Sequence, residues 1–342
     1  MATLKDIAKK TGVSASTISR VLNDLPEAQS VPDSLRSLIF QTAEELNYVV
    51  SGRRKSIGRN NINKVAVVGW FNEERDRDIP FYSLIRRGIE SEFRALGLDG
   101  SSITFEWSES IRTYSSLLNF DGIIVIGQNH DAEDYFMDKS NRVVFIDYSP
   151  NPSRYNSVVT DLAHGCEQAL VHLLSLGYES FGYLGGENED ECQLPRYIAF
   201  RNFLSQRSLF NPEFVRLSGD WTAEGGYAMA KSCLTQSHIA RAYIAANDPM
   251  AIGAMNAFLD AGLRVPEDVA IIGFDDIEMS SYVRPALTTV RIPAKILGQF
   301  GADLLVNGLS DNSLPIRVTV PTSLIVRESC GHLIQTDLMV NR

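Results

Sequence analysis

Residues 266–276 read PEDVAIIGFDD. Within them, Val269-Ala270-Ile271-Ile272-Gly273-Phe274 is an unbroken apolar run, opened by a proline turn and closed by two carboxylates. Consecutive apolar positions put hydrophobes on both faces of a strand, which suits a sheet covered on both sides. Comparable runs stand at 65–70 (VAVVGW), 122–127 (GIIVIG), 143–147 (VVFID), 181–185 (FGYLG) and 242–246 (AYIAA). Between them, helical spacing of apolar residues recurs at 82–96, 160–176, 194–206, 223–234, 248–261 and 291–306. Strands alternating with helices predict an α/β fold of doubly wound parallel sheets. Two half-sets, 64–160 and 161–287 with the chain returning after 288, predict two lobes. Ligands then belong in the cleft, at the carboxyl ends of the strands.

Upstream the rhythm changes. Apolar residues fall at Leu4, Ile7, Ala8, then Ile18, Val21, Leu22, then Leu35, Leu38, Ile39, Ala43, Leu46, the pattern of three short helices. Gly12 stands where two of them must turn sharply, and Ser14 suits the N-cap of the second. That second helix turns Ala15, Ser16, Ser19 and Arg20 outward, while Thr17 borders its inner face. Small hydroxylated residues let a backbone approach a major groove, and an arginine one turn on reaches base edges or phosphate. Ser14, Thr17 and Ser19 suit phosphate contacts that set register. A small helical cap with serines as plain N-caps is the competing reading of the same pattern. Residues 49–63 are polar and basic without periodicity, a linker. The expected organisation is a head over 1–48, a hinge over 49–63, a two-lobed body over 64–330 and a tail over 331–342.

Charge divides along the same line. The whole chain of 342 residues carries a net charge of -10, yet residues 1–60 hold nine basic and six acidic side chains, against 23 and 36 in the rest. A basic head on an acidic body suggests that only the head meets a polyanion. Cys166, Cys192, Cys233 and Cys330 have no metal-ligand spacing and suit a reducing compartment. With neither a signal-peptide pattern nor a run of 18 apolar residues, the expected location is cytoplasmic, with no membrane partner.

Enzyme signatures are lacking. Gly185-Gly186 does not complete a dinucleotide fingerprint, and there is no Walker A, G-x-S-x-G or H-E-x-x-H. His164 and His172 flank one helix and are expected to have no cysteine partner nearby. The expectation is a binding cleft with no catalytic residues, cofactor or metal. Arg196, Trp221, Asn247 and Asp275, all near strand ends, make a sugar-binding kit: hydrogen bonds for vicinal hydroxyls and an aromatic face for C–H surface. Each also has a plain structural role open to it, the aspartate and asparagine as helix caps and the tryptophan as core.

The segments Gly12-Val13-Ser14 and Thr17-Ile18-Ser19-Arg20-Val21-Leu22-Asn23 resemble the DNA-binding heads of the LacI/GalR family of bacterial transcriptional repressors. In the body, Arg196-Tyr197-Ile198-Ala199-Phe200, Asn247-Asp248, the run from Pro266 to Asp276, and Leu287-Thr288-Thr289-Val290 resemble that family's effector domain, which is similar to periplasmic sugar-binding proteins. The resemblance implies a repressor that binds double-stranded, pseudo-palindromic operator DNA as a homodimer. It implies base reading by Ala15, Ser16 and Arg20, with Thr17, Ser19 and Asn23 on phosphates or orienting the helix. It also implies a hinge helix that wedges a side chain into the minor groove, with Ile57 in the wedge position and Arg54 where the family has a small residue. Arg196, Asn247 and Asp275 would bind effector hydroxyls. Trp221 matches the stacking position of galactoside-responsive members, which implies a galactoside effector; a non-galactose sugar or nucleoside effector, or a sugar-binding protein without DNA binding, are the alternatives. Departures are Pro32 for a serine cap, Gly52 in the hinge, Ala199 for a glycine, and Ile292 and Ala294 for a glutamine and a phenylalanine.

Overall fold

The computed structural model describes residues 3–22, 31–32, 35–36, 38–39, 42, 62–69, 80–98, 100–107, 117–128, 132–136, 143–186, 195–218, 220–308 and 314–331. The chain divides into two compact units, Met1–Arg59 and Asn60–Arg342.

In the first unit, α1 (Leu4–Thr11) and α2 (Ala15–Leu22) are joined by three residues. Asp6 at the third position of α1 accepts from the backbone N–H and hydroxyl of Thr3, at 2.8 and 2.7 Å. Those bonds hold the Asp6 carboxyl below its usual range. Gly12 closes α1 at φ 72°, its N–H on the Ala8 carbonyl at 2.9 Å. A β-carbon is unwelcome at that φ, so glycine here is what permits the turn. Ser14 caps α2 as expected, its Oγ accepting from the Thr17 N–H at 3.1 Å. Leu35, Arg36, Leu38, Ile39 and Thr42 are helical, with the Leu35 and Arg36 N–H groups on the Pro32 carbonyl, so proline opens that helix without loss. Ile7, Ile18, Val21 and Ile39 form a small buried core. Leu38 departs from the expectation, being 44% exposed. At 100° per residue Leu35, Ile39 and Thr42 share one face, and Leu38 falls at its edge.

The second unit holds two six-stranded sheets. The first contains β1 (Val65–Gly69), β2 (Ile103–Trp107), β3 (Gly122–Ile126), β4 (Val143–Ile146), β5 (Asn156–Thr160) and β11 (Arg317–Val320), in the order β11-β5-β4-β3-β1-β2. The second contains β6 (Phe181–Gly186), β7 (Val215–Ser218), β8 (Ala242–Ala245), β9 (Ala270–Asp275), β10 (Thr288–Arg291) and β12 (Ser323–Ile325), in the order β12-β10-β9-β8-β6-β7. Every pairing is parallel except β10 with β12. The helices are α3 (Pro80–Ala95), α4 (Leu162–Ser175), α5 (Pro195–Ser205), α6 (Ala223–Leu234), α7 (Asp248–Asp260) and α8 (Ala294–Asn307), with a single turn at Ala132–Tyr135. Strands β1, β3, β4, β6 and β8 are buried at every position, the burial their unbroken apolar runs require.

The chain crosses between lobes three times: after β5, between β10 and α8, and between β11 and β12. Helix α8 belongs with the first lobe, packing on α3, β3, β4 and β5. The simple division at 288 is therefore refined, since β10 stays in the second lobe and only α8 and β11 return. The expected helix start at 291 moves to Ala294, because Arg291 completes β10 and Pro293 precedes the first turn. The expected start at 160 moves likewise, Thr160 being the last residue of β5. At the body's entrance Ile62 is buried, and Asp121 accepts from the Asn63 and Lys64 N–H groups at 2.9 Å each. The last residues of the expected linker are thus already fixed to the body.

Candidate effector cleft and DNA-reading helix

The carboxyl ends of β4, β6, β8 and β9 carry the polar residues of the candidate site. Arg196 is the second residue of α5, and its Nη1 donates to the Ala246 carbonyl just past β8, at 2.5 Å. The guanidinium carbon lies 5.4 Å from the ring centroids of both Trp221 and Phe274, within cation–π range. Trp221 in turn lies over Gly186: a β-carbon there would stand 2.1 Å from its ring. The second glycine of the pair that fails as a nucleotide fingerprint is therefore the seat of the indole.

Asn247 is buried, and both ends of its amide are engaged. Its Oδ1 caps α7 by accepting from the Met250 N–H, and its Nδ2 donates to the Trp221 carbonyl, each at 2.9 Å. One amide hydrogen is left for a ligand. The side chain thus ties Trp221 to the start of α7, a structural duty alongside any contact with a ligand.

Asp275 ends β9 at φ 108° and Asp276 follows at φ 59°. Left-handed backbone at non-glycine residues costs energy and gathers where function demands a geometry. The two carboxylates diverge. Asp276 is bound by Arg291 Nε and Arg327 Nη2, each at 2.6 Å. Asp275 lies in the field of Arg196, and burial followed by the nearby Asp248 charge raises its carboxyl well above the ordinary range. Beneath them Asp248, fully buried at the first turn of α7, accepts from Thr289 Oγ1 (2.6 Å), Ser280 Oγ (2.7 Å) and the Ile277 N–H (2.9 Å). It anchors the loop that aims Asp275.

A further strand-end carboxylate was not singled out in the sequence. Asp147 follows β4 in the first lobe at φ 73°, and burial raises its carboxyl while Arg196 lowers it. Asp147 and Asp275 act on one another electrostatically across the lobes. The cue was available: VVFID repeats the GFD pattern of an apolar run ending in aspartate.

One expectation is corrected. His172 does have a cysteine partner in space, its Nε2 standing 3.3 Å from Cys330 Sγ, which also contacts Thr288 Oγ1 at 3.2 Å. The pair is brought together by folding across 158 residues, which no local spacing could reveal. Among the described residues no group of three or more potential ligands gathers for a metal. Cys166, Cys233 and Cys330 are buried and are not in disulfides, and burial pushes the Cys166 thiol up to about 12.

On α2, Ser16 and Arg20 are exposed one turn apart, Ala15, Thr17 and Ser19 are half-buried, and Ser14 at the cap is exposed. Asn23, Arg54 and Ile57 lie outside the described residues. No described helix is long and apolar enough to cross a membrane.

Residues 3–51 match the family described as bacterial regulatory proteins, lacI family, and residues 170–330 match the periplasmic binding protein-like domain. The HTH-type transcriptional repressor MelR of Bacillus subtilis (strain 168) is 37% identical over 345 residues, covering 97% of this chain and 98% of that protein. The chain belongs to the lacI family. Among solved structures, the transcriptional regulator CelR in complex with cellobiose is 26% identical with a TM-score of 0.70, covering 96% of this chain and 100% of that one. The lac repressor dimer bound to operator and the anti-inducer ONPF is 26% identical with a TM-score of 0.69, covering 96% and 99%. This lacI-family chain is accordingly a DNA-binding transcriptional regulator and not an enzyme, and its two lobes have the periplasmic-binding-protein fold. Its place of work, like its family's, is the cytoplasm.

Proposed function

We propose that the chain represses sugar-utilisation genes, holding a pseudo-palindromic operator as a homodimer and leaving it when a galactoside enters the cleft. The observation that carries the effector reading is the convergence of Arg196, Trp221, Asn247 and Asp275 at the strand ends of the second lobe. An indole for the C–H face of a pyranose, beside charged groups for its hydroxyls, is the chemistry a sugar needs. The cellobiose-bound relative supports a sugar in such a cleft.

In the head, Ala15, Ser16 and Arg20 read bases, while Ser14, Thr17, Ser19 and Asn23 hold phosphates or orient the helix. The head spans 1–48, the hinge 49–63 with Arg54 and Ile57 in its DNA-facing role, the body 64–330 and the tail 331–342. A head this small covers few base pairs, so two are needed for specificity, and the operator-bound dimer of the lac repressor supports that stoichiometry. Leu259, Met279 and Tyr282, exposed in the second lobe, suit the dimer face. The large apolar residues Phe81, Ile85, Ile89 and Phe93 of α3 are core.

Effector and operator are linked reciprocally, so each weakens the other by the same factor. Operator affinity measured by fluorescence anisotropy should fall when galactose or methyl galactosides are added, and Arg20→Ala should lose operator discrimination while keeping sugar binding. Equal wild-type affinity for operator and scrambled DNA would sink the regulator reading. Sugar affinity unchanged by operator would sink the induction mechanism.

A further inference from the structure

We propose that Asp276 is a positioning residue that joins the effector site to the crossings between the lobes: it holds Asp275 on its left-handed backbone and, through Arg291, ties it to the segment that leads into α8. The inference rests on the effector role proposed above for Asp275 and deepens it.

Asp275 and Asp276 are consecutive residues at φ 108° and 59°. Such backbone persists only where the surroundings over-determine it, and here each residue of the turn is held. The Asp275 carbonyl accepts from the Ile292 N–H at 3.4 Å, the Asp276 N–H donates to Thr289 Oγ1 at 3.4 Å, and the Ile277 N–H donates to Asp248 Oδ2 at 2.9 Å. The Asp276 carboxylate adds two short ties, Oδ2 accepting from Arg291 Nε and Oδ1 from Arg327 Nη2, each at 2.6 Å. Its side chain is only 8% exposed, so the pair of guanidiniums fixes its direction.

The two arginines bring different things. Arg327 is 16% exposed, and its Nη1 and backbone N–H donate to the Leu287 carbonyl and Thr288 Oγ1 at 2.7 and 2.9 Å. It is the fixed anchor, at the start of β10. Arg291 is 52% exposed and ends β10, in register with Asp275 on β9 and with Ser323 on β12. Beyond Arg291, Ile292 and Pro293 carry the chain to α8 in the first lobe; just before Ser323, residues 321–322 bring it back from β11. Two of the three crossings therefore leave the second lobe side by side at Arg291, which Asp276 grips one residue from Asp275. Closing one lobe on the other has to turn the chain at its crossings. The Arg291 bond is thus where occupancy of the site and the angle of the lobes meet. A half-exposed ion pair is weak enough to be exchanged in such a motion, and the mostly buried Arg327 bond is not.

The test uses the full-length protein and methyl β-galactoside, with sugar affinity read by calorimetry and operator affinity by fluorescence anisotropy, with and without saturating sugar. In the wild type the sugar should lower operator affinity at least about fivefold, the lower end of ordinary coupling between sites. Arg291→Ala should keep the DNA-free sugar affinity within about twofold and cut the operator shift to about twofold or less, and Arg291→Lys should restore part of the shift. Asp276→Asn leaves Arg327 without its charge partner, so it should lower the melting temperature as well as weaken the sugar at least about tenfold. The Arg291 variants keep the test independent of that loss. A full operator shift in Arg291→Ala would overturn the tie to the crossing. A folded Asp276→Asn that binds the sugar as the wild type does would overturn the positioning of Asp275. Sugar that binds the wild type without moving operator affinity would overturn the coupling and leave the sugar reading standing. If the wild type binds no sugar, the sugar reading itself fails and the role of Asp276 with it.

Discussion

Asp248, fully buried at the start of α7, ties Ile277, Ser280 and Thr289 together beside Asp275. Burial pushes its carboxyl up to about 7 despite three donors that pull it down. An aspartate whose folded pKa lies above its unfolded value of about 3.9 favours the fold most when protonated. Its contribution is full below about pH 4 and is lost as pH rises towards 7. Urea melts should therefore show stability falling from pH 5 towards pH 7 and levelling above it, with a slope on the order of 1.4 kcal/mol for each pH step over which the folded state holds one more proton. Asp248→Asn should flatten part of that slope. Asp147 and Asp275 act with the same sign and keep the remainder. Parallel profiles for wild type and variant would mean that Asp248 stays charged throughout. At this scale the sequence was legible where the residue's neighbours are local. Ser14 as a cap and Gly12 as a turn need only their own helix. Asp147, and the pairing of His172 with Cys330, needed the fold, because a strand-end aspartate looks the same whether it caps a helix or faces a cleft.

Among the elements, the long helices and the unbroken apolar strands were visible, and the short or polar strands were not. β2 (ITFEW), β7 (VRLS), β10 (TTVR), β11 (RVTV) and β12 (SLI) have three to five residues each. Four of them, β2, β7, β11 and β12, lie at sheet edges, where one side has no neighbour and the demand for apolar residues relaxes. The strand β5 (NSVVT) hides for a related reason, since Asn156 uses its side chain to accept from the Ile316 N–H at 2.7 Å. In the head, α2 has only eight residues and leans on its cap. Ser14→Ala should destabilise the head by about 1 kcal/mol, the usual worth of an N-cap. It should also weaken DNA binding without changing sugar affinity measured by calorimetry. Unchanged helicity and unchanged DNA binding would show the cap to be dispensable.

For the whole molecule, alternation of strand and helix was enough to predict two parallel-sheet lobes, but not the order in which the returning chain is shared between them. That order is a matter of long-range pairing: β11 closes the first sheet on β5 and β12 closes the second on β10. Removing everything after Gly308 should abolish cooperative thermal unfolding of the body. The loss takes away both edge strands, Arg327 from its bridge to Asp276, and Ser329, whose Oγ donates to the Ile271 carbonyl at 2.6 Å. A truncated body that still melts in one sharp transition would show the returning segments to be ornamental.

The same closure sets a timetable for synthesis. The carbonyl and amide edge of β5 waits for a partner made 160 residues later. At about 5–20 residues per second the delay is on the order of 10–30 s on the ribosome. For that interval the first lobe carries an open parallel edge, the kind of surface on which nascent chains aggregate. The DNA-binding head leaves the ribosome ahead of the body, whose two sheets are completed only with the last strands.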